Sequence, residues 1–131
     1  MKFAHMTIAT PVVEKTSVFF QRVMQWKPLP MPTNIDIDAV WLEICEGQQL
    51  HILGIPDAKP AQDEEFGRHY AFFHPSHDFE AVQSRLRQEN GKIIPAIRET
   101  PFRRFFFRDP NGYLFELIDE DGYLDETSHC G

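Results

Sequence analysis

Apolar positions along the chain follow strand and helix spacings in an order that occurs twice. In the first half, loose alternation predicts a strand at residues 2–9, and apolar residues at helical spacing predict a helix that opens at Thr10 and Pro11. We expect the buried stripe of this helix to comprise Val13, Val18, Phe19, Val23 and Met24. The proline-rich residues 28–34 allow at most an edge strand, and residues 39–45 and 48–55 form a predicted hairpin.

The second half repeats this order after a polar connection at residues 56–67, which is the best candidate for a boundary. The predicted elements are a strand at 68–73, a helix at 77–90 with Ser76 or Asp78 as N-cap, a strand at 92–98, and a hairpin of 103–108 with 113–119. His74 and His77, which flank the helix start, are expected to be exposed, and the closing segment 121–131 to be loosely held.

The repeated order pairs four residues that commonly bind metals. Aligning the halves places His5 on His69, and a slip of one residue later in the chain places His51 on Glu116. Imidazole and carboxylate groups bind divalent transition metals. If the two halves face each other about a pseudo-twofold axis, the four residues converge, and we predict one metal site.

Each of the four also has an ordinary interpretation. His5 can be a hydrogen-bonded histidine on a sheet face, and His69 can be an exposed strand residue. Glu116 stands between Phe115 and Leu117, so it either faces solvent or has a partner, because an unpaired charge in a buried strand costs several kcal/mol. The metal prediction therefore depends on the pairing of these residues and not on any one of them.

Charge and cysteine content narrow the function classes. Twenty acidic against 13 basic residues give a formal charge of −7, which argues against a nucleic-acid or anionic-membrane partner and favours a small-molecule substrate or another subunit. Cys45 and Cys130 do not form a disulfide framework, so a reducing cytoplasm is expected. No apolar run reaches the roughly 20 residues that span a bilayer, and no leader segment is recognised.

Three segments together resemble the vicinal oxygen chelate superfamily, which includes glyoxalase I, fosfomycin-resistance and bleomycin-resistance proteins and extradiol dioxygenases. They are "HMTIAT" at 5–10, "RHYAFF" at 68–73 and "FRDPNGYLFELID" at 107–119. The resemblance implies an α+β fold of two βαβββ modules, residues 1–57 and 58–131, forming an open U-shaped mixed sheet around a central cavity, with a homodimer as the usual assembly. It also implies a divalent metal ion, Ni, Zn, Fe or Mn, bound by His5, His51, His69 and Glu116.

The same resemblance suggests substrate-contacting residues and limits the reaction. Thr7, Trp41, Arg104 and Phe106 are implied on the inner face, where Arg104 would bind an anion. Short glyoxalase I enzymes usually have Glu where this chain has His51, which argues against a lactoylglutathione lyase. The tyrosine and serine of the fosfomycin branch fall on Phe106 and Arg104, so fosfomycin is not the expected substrate.

We therefore expect a metal-dependent, glyoxalase-like enzyme acting on a small oxygenated molecule by isomerase or lyase chemistry, with Glu116 and His51 moving the proton. One alternative is an Fe(II) extradiol-type dioxygenase that uses His5, His69 and Glu116. Another is a metal-free binding protein of the bleomycin-resistance kind. A third alternative is a protein that serves only as a dimerisation scaffold. The four residues of metal-binding type argue against it.

Overall fold

The computed structural model describes residues 1–127 and divides into two compact units, Met1–Pro60 and the residues from Ala61 onward. Each unit contains a strand, a helix and three further strands, and the second unit adds a helix at its end. The predicted α+β class with two βαβββ modules is confirmed. Among the described residues no helix is long and apolar enough to cross a membrane.

The first unit is a four-stranded mixed sheet with one helix. Its elements are β1 His5–Thr10, α1 Val13–Met24, β2 Lys27–Leu29, β3 Ala39–Cys45 and β4 Gln48–Gly54. The strand order is β1-β4-β3-β2, with β1 parallel to β4 and the other pairs antiparallel. The proline-rich segment thus contributes only the short edge strand β2, because Pro28 removes a hydrogen-bond donor.

Helix α1 covers one face of this sheet. Thr10 Oγ1 accepts a hydrogen bond from the backbone N–H of Val12 at 3.0 Å just before the helix, and Gln25 ends it in the left-handed conformation. The buried stripe differs from the predicted one at two positions. Phe20, which was not predicted to belong to it, is fully buried, and Val18, which was, is only half-buried. The sheet face beneath it is apolar and comprises Met6, Ile8, Leu42, Leu50 and Ile52.

The second unit repeats this arrangement with a more aromatic core. Its elements are β5 Tyr70–His74, a 3₁₀ turn Ser76–Asp78, α2 Phe79–Gln88, β6 Lys92–Pro95, β7 Arg104–Arg108, β8 Leu114–Asp119 and α3 Glu120–Thr127. The strand order is β5-β8-β7-β6, again with one parallel pair, β5 and β8. Phe79 of α2 packs edge-on against Phe105 of β7, so the helix covers the face that carries Phe105.

Two expectations about the second unit are wrong. His74 is buried and not exposed, because its Nε2 lies 2.8 Å from the Asp78 carboxylate, which also binds Arg85. The closing segment is ordered as α3 through Thr127, because Tyr123 packs against Phe73 and Phe102. The remaining polar end, with His129 and Cys130, lies outside the described residues.

Candidate metal centre

Glu116 is the buried carboxylate at the centre of the second sheet, and the fold gives it two partners. It lies in β8 between Ala71 of β5 and Phe106 of β7, so its side chain shares their face. Its Oε1 lies 3.2 Å from Nε2 of His69, and its Oε2 accepts a hydrogen bond from Nη1 of Arg104 at 3.0 Å. The lone charge in an apolar strand is therefore paired within the chain.

His69 immediately precedes β5, one residue before the strand that was expected to contain it. Its ring meets that of Phe106 edge-on, with centroids 5.0 Å apart, which fixes the orientation of the imidazole. Its Nδ1 is buried and has no hydrogen-bond partner in residues 1–127. The Nε2 atom therefore faces Glu116 from a ring held by packing.

Arg104 is held from two further sides. Its Nη2 hydrogen-bonds to the carbonyl oxygen of Arg98 and lies 3.5 Å from Oε2 of Glu65. Burial alone would raise the pKa of Glu65, but the backbone N–H groups of Ile97 and Arg98 and the Arg104 guanidinium together lower it. The second unit therefore places two carboxylate side chains, Glu65 and Glu116, on one arginine.

In the first unit the imidazole of His51 is stacked between two other rings. The His5 ring lies 4.0 Å from it at an interplanar angle of 14°, and the Trp41 ring lies 3.8 Å away at 4°. Register explains part of this stack, because His51 pairs with Thr7 on β1 and with Trp41 on β3. Thr7 is exposed on the same face, beside the histidine pair.

Gln49 sets the tautomer of His51. Its Oε1 lies 2.9 Å from Nε2 of His51, and because an amide oxygen only accepts hydrogen bonds, Nε2 carries the hydrogen. Burial, and then the charge of His5, lower the pKa of His51, so the neutral ring with a free lone pair on Nδ1 is favoured. A neutral imidazole is the form that can bind a metal or accept a proton.

The donor atoms of the second unit are spaced as two ligands of one divalent metal ion would be. Two nitrogen or oxygen ligands of one ion, each about 2.1 Å from it, are themselves about 3.0–3.4 Å apart. The 3.2 Å between His69 Nε2 and Glu116 Oε1 lies in this range. Within residues 1–127 no three His, Cys, Asp or Glu side chains are grouped so that they could hold a metal.

Two residues of the site were missed in the sequence. Gln49 had a usable signal, because it lies two residues before His51 on the same strand and so on the same face. Glu65 had none, because it lies in a polar loop far from Arg104 in the chain and only the fold brings the two side chains together.

The chain has two βαβββ units, and each unit carries a pair of side chains of the kinds that bind metals. This architecture is that of a vicinal oxygen chelate protein. The family model for the Glyoxalase/Bleomycin resistance protein/Dioxygenase superfamily matches residues 2–117. The chain belongs to this superfamily.

Relatives in the superfamily differ in their reactions. The metallothiol transferase FosB of Shouchella clausii is 26% identical over 119 residues, which cover 86% of this chain and 76% of that protein. A protein of Arabidopsis thaliana called glyoxylase I 4 is 22% identical over 124 residues, 89% of this chain and 70% of its own.

Among solved structures, a mutant of the fosfomycin-resistance protein FosX from Listeria monocytogenes superposes with a TM-score of 0.78. It is 19% identical, and the match covers 95% of this chain and 97% of that one. That structure contains Mn(II) and a dihydroxypropylphosphonic acid. At this identity the likeness shows a shared fold.

Proposed function

We propose that this protein is a metal-dependent enzyme that acts on a small oxygenated molecule by isomerase or lyase chemistry. The observation that carries the proposal is the buried His69/Glu116 pair, whose nitrogen and oxygen are separated as two ligands of one ion would be. We place His5 and His51 as the remaining ligands and leave the identity of the metal to experiment. The relatives called a metallothiol transferase and a glyoxylase add thiol transfer to the reactions that should be assayed.

A divalent metal ion held by these residues would supply Lewis-acid chemistry, which makes a C–H or O–H group next to a bound substrate oxygen more acidic. The chain's own residues orient the substrate and move the proton. Because Gln49 keeps the hydrogen on Nε2, the one free lone pair of His51, on Nδ1, either binds the metal or accepts the proton. Glu116 is the second candidate, and because Arg104 occupies Oε2, Oε1 would have to leave the metal in order to take the proton.

Substrate contacts are proposed for three side chains beside the ligands. Thr7 can hydrogen-bond a substrate oxygen from its exposed position next to His51. Trp41 and Phe106 supply apolar ring surface, and each already contacts a proposed ligand, His51 and His69 respectively. The anion-binding role expected of Arg104 stays a prediction, and its two terminal nitrogens already donate to Glu116 and to the Arg98 carbonyl oxygen.

Metal content tests the proposal most directly. The protein is purified without chelator, analysed for bound metals, and titrated with Ni(II), Zn(II), Mn(II) and Fe(II). We expect one ion per chain, lost in His69→Ala and retained in His77→Ala, an exposed histidine of the same unit. Failure of the unaltered protein to bind any of the four ions would overturn the enzyme proposal.

A metal-free binding protein is the second candidate, favoured by one observation. Glu116 already has two partners from the chain, His69 and Arg104, so its burial does not require a metal. If no ion binds, ligand screening should begin with flat aromatic cations, because stacked rings and a net negative charge suit them.

A further inference from the structure

Arg104 occupies a more constrained position than a substrate-binding arginine needs. Its side chain is 4% exposed, and its two terminal nitrogens point to different partners. Nη1 donates to Glu116, whereas Nη2 donates to the Arg98 carbonyl oxygen and lies within ion-pair distance of Glu65. Because both nitrogens are engaged, the guanidinium plane is fixed before any ligand arrives.

Glu65 is itself anchored independently of Arg104. Its Oε1 accepts a hydrogen bond from the N–H of Ile97 at 2.7 Å, and its Oε2 accepts one from the N–H of Arg98 at 2.9 Å. The carboxylate thereby joins the loop before β5 to the loop before β7. Arg104 is thus braced on one side by a fixed anion and on the other by Glu116.

This bracing separates the two oxygens of Glu116. Oε1 lies beside His69, the other proposed ligand of this unit, whereas Oε2 is taken by Arg104. With Oε2 held by Arg104, Oε1 is the oxygen of Glu116 that is left to face an ion beside His69. An ion with a one-oxygen glutamate keeps a coordination position that a two-oxygen glutamate would fill.

We infer that Arg104 is a positioning residue that holds Oε2 of Glu116, so that this carboxylate offers only Oε1 to a bound metal ion. The inference rests on the proposed function, because it concerns the coordination of that metal. With Glu65 fixing Arg104 and Arg104 holding Oε2, one position of a bound ion would stay open for substrate. Lysine cannot replace Arg104, because a single ammonium lacks the two-nitrogen fork that bridges Glu65 and Glu116.

The coordination of Co(II) gives a readout that does not depend on turnover. Visible absorption of protein-bound Co(II) weakens as the number of ligands increases. The purified full chain is loaded with Co(II) as wild type, Arg104→Met, Arg104→Lys and Arg103→Met. Arg103 is the matched control, because it also bridges two carboxylates, Asp119 and Glu80, but does not contact Glu116.

We expect Arg104→Met and Arg104→Lys to change the Co(II) spectrum toward lower absorptivity, as Oε2 joins the coordination shell, and Arg103→Met to leave it unchanged. Thermal unfolding of the metal-free variants provides the structural comparison. If the Arg104 variants lose stability as Arg103→Met does but keep the wild-type spectrum, Arg104 has only a structural role and the inference is overturned. If Arg104→Met does not fold, the spectrum of Arg104→Lys decides alone.

Failure of the inference can be told apart from failure of the proposed function. Wild-type protein that binds no Co(II) overturns the metal proposal and this inference with it. Wild-type protein that binds one Co(II) per chain, with the same spectrum in the Arg104 variants, overturns only the inference.

Discussion

Nη1 of Arg104 donates a hydrogen bond to Oε2 of Glu116 across 3.0 Å, with both side chains more than nine-tenths buried. A buried charge of either sign is costly unless it is paired and hydrogen-bonded. The chain therefore supplies its own cation to the carboxylate that was expected to be held by a metal. The burial of Glu116 is therefore accounted for within the second unit, without a metal.

Removal of Glu116 should destabilise the protein strongly. In Glu116→Ala the guanidinium of Arg104 stays buried with a weaker set of partners, and breaking a buried pair in this way costs about 3 kcal/mol or more. The control is Glu80→Ala, because Glu80 pairs with Arg103 but is 82% exposed, and an exposed pair contributes less than about 1 kcal/mol. The measurement is the free energy of unfolding by denaturant without metal. Equal small losses in the two variants would contradict the importance of the buried pair.

The Asp78 cluster should make stability fall in acid. Hydrogen bonding to Arg85 lowers the pKa of Asp78 most, His74 adds to this, burial opposes it, and the net result is a fall from 3.8 to about 2. A carboxyl group with a depressed folded pKa contributes stability above its unfolded pKa, and this contribution is lost as the pH falls from about 4 to about 2. The shift corresponds to at most about 2 kcal/mol. Unfolding free energies measured between pH 5 and 2 should decline less steeply in Asp78→Asn.

The control for Asp78 is Glu99→Gln, which removes an exposed carboxylate of the same unit. Its stability should follow the wild-type slope. If Asp78→Asn and wild type lose stability in parallel below pH 4, the Asp78 cluster does not carry the acid sensitivity.

Asp109 should change the pH dependence of stability in the direction opposite to Asp78. Burial raises its pKa from 3.8 to about 6, although the Asn111 amide and the N–H groups of Tyr113 and Asn111 hydrogen-bond to it. A carboxyl group with a raised folded pKa costs stability as the pH rises from about 4 to about 6, and this cost is then constant. Asp109→Asn should remove that decline, measured by denaturant unfolding at pH 4, 5, 6 and 7. A decline that persists in the variant would assign it to another group.

Element order was readable from the sequence because strand and helix periodicities are local properties. The hairpins around Gly47 and Gly112, the helices α1 and α2 and the edge strand β2 all lie close to their predicted positions. His74 was misjudged because its burial depends on Asp78 and on packing that no local pattern reports. The C-terminal helix α3 was missed because it has little amphipathic character and is held by Tyr123.

The candidate site was readable only in part. The repeat singled out His5, His51, His69 and Glu116, and the structure pairs them within each unit, His5 with His51 and His69 with Glu116. The groups that orient them depend on register and on long-range contacts. Trp41 was implied by the resemblance, but its stacking on His51 follows only from the register of β3 with β4, and Glu65 could be placed only from the fold.

Gly112 should tolerate no side chain, because it makes the turn between β7 and β8 at a φ of +88° and lies against the loop that starts the second unit. A Cβ at this position would lie 2.6 Å from the carbonyl oxygen of Ala61. The backbone N–H of Ala61 in turn donates a hydrogen bond to the carbonyl oxygen of Asn111. Since both strain and a backbone clash arise, Gly112→Ala should cost more than 1 kcal/mol. Gly67→Ala is the matched control in the same unit, because its Cβ would meet nothing closer than 3.7 Å. Denaturant unfolding should show a clear loss for Gly112→Ala and little change for Gly67→Ala, whereas similar values would show that the turn can move away from Ala61.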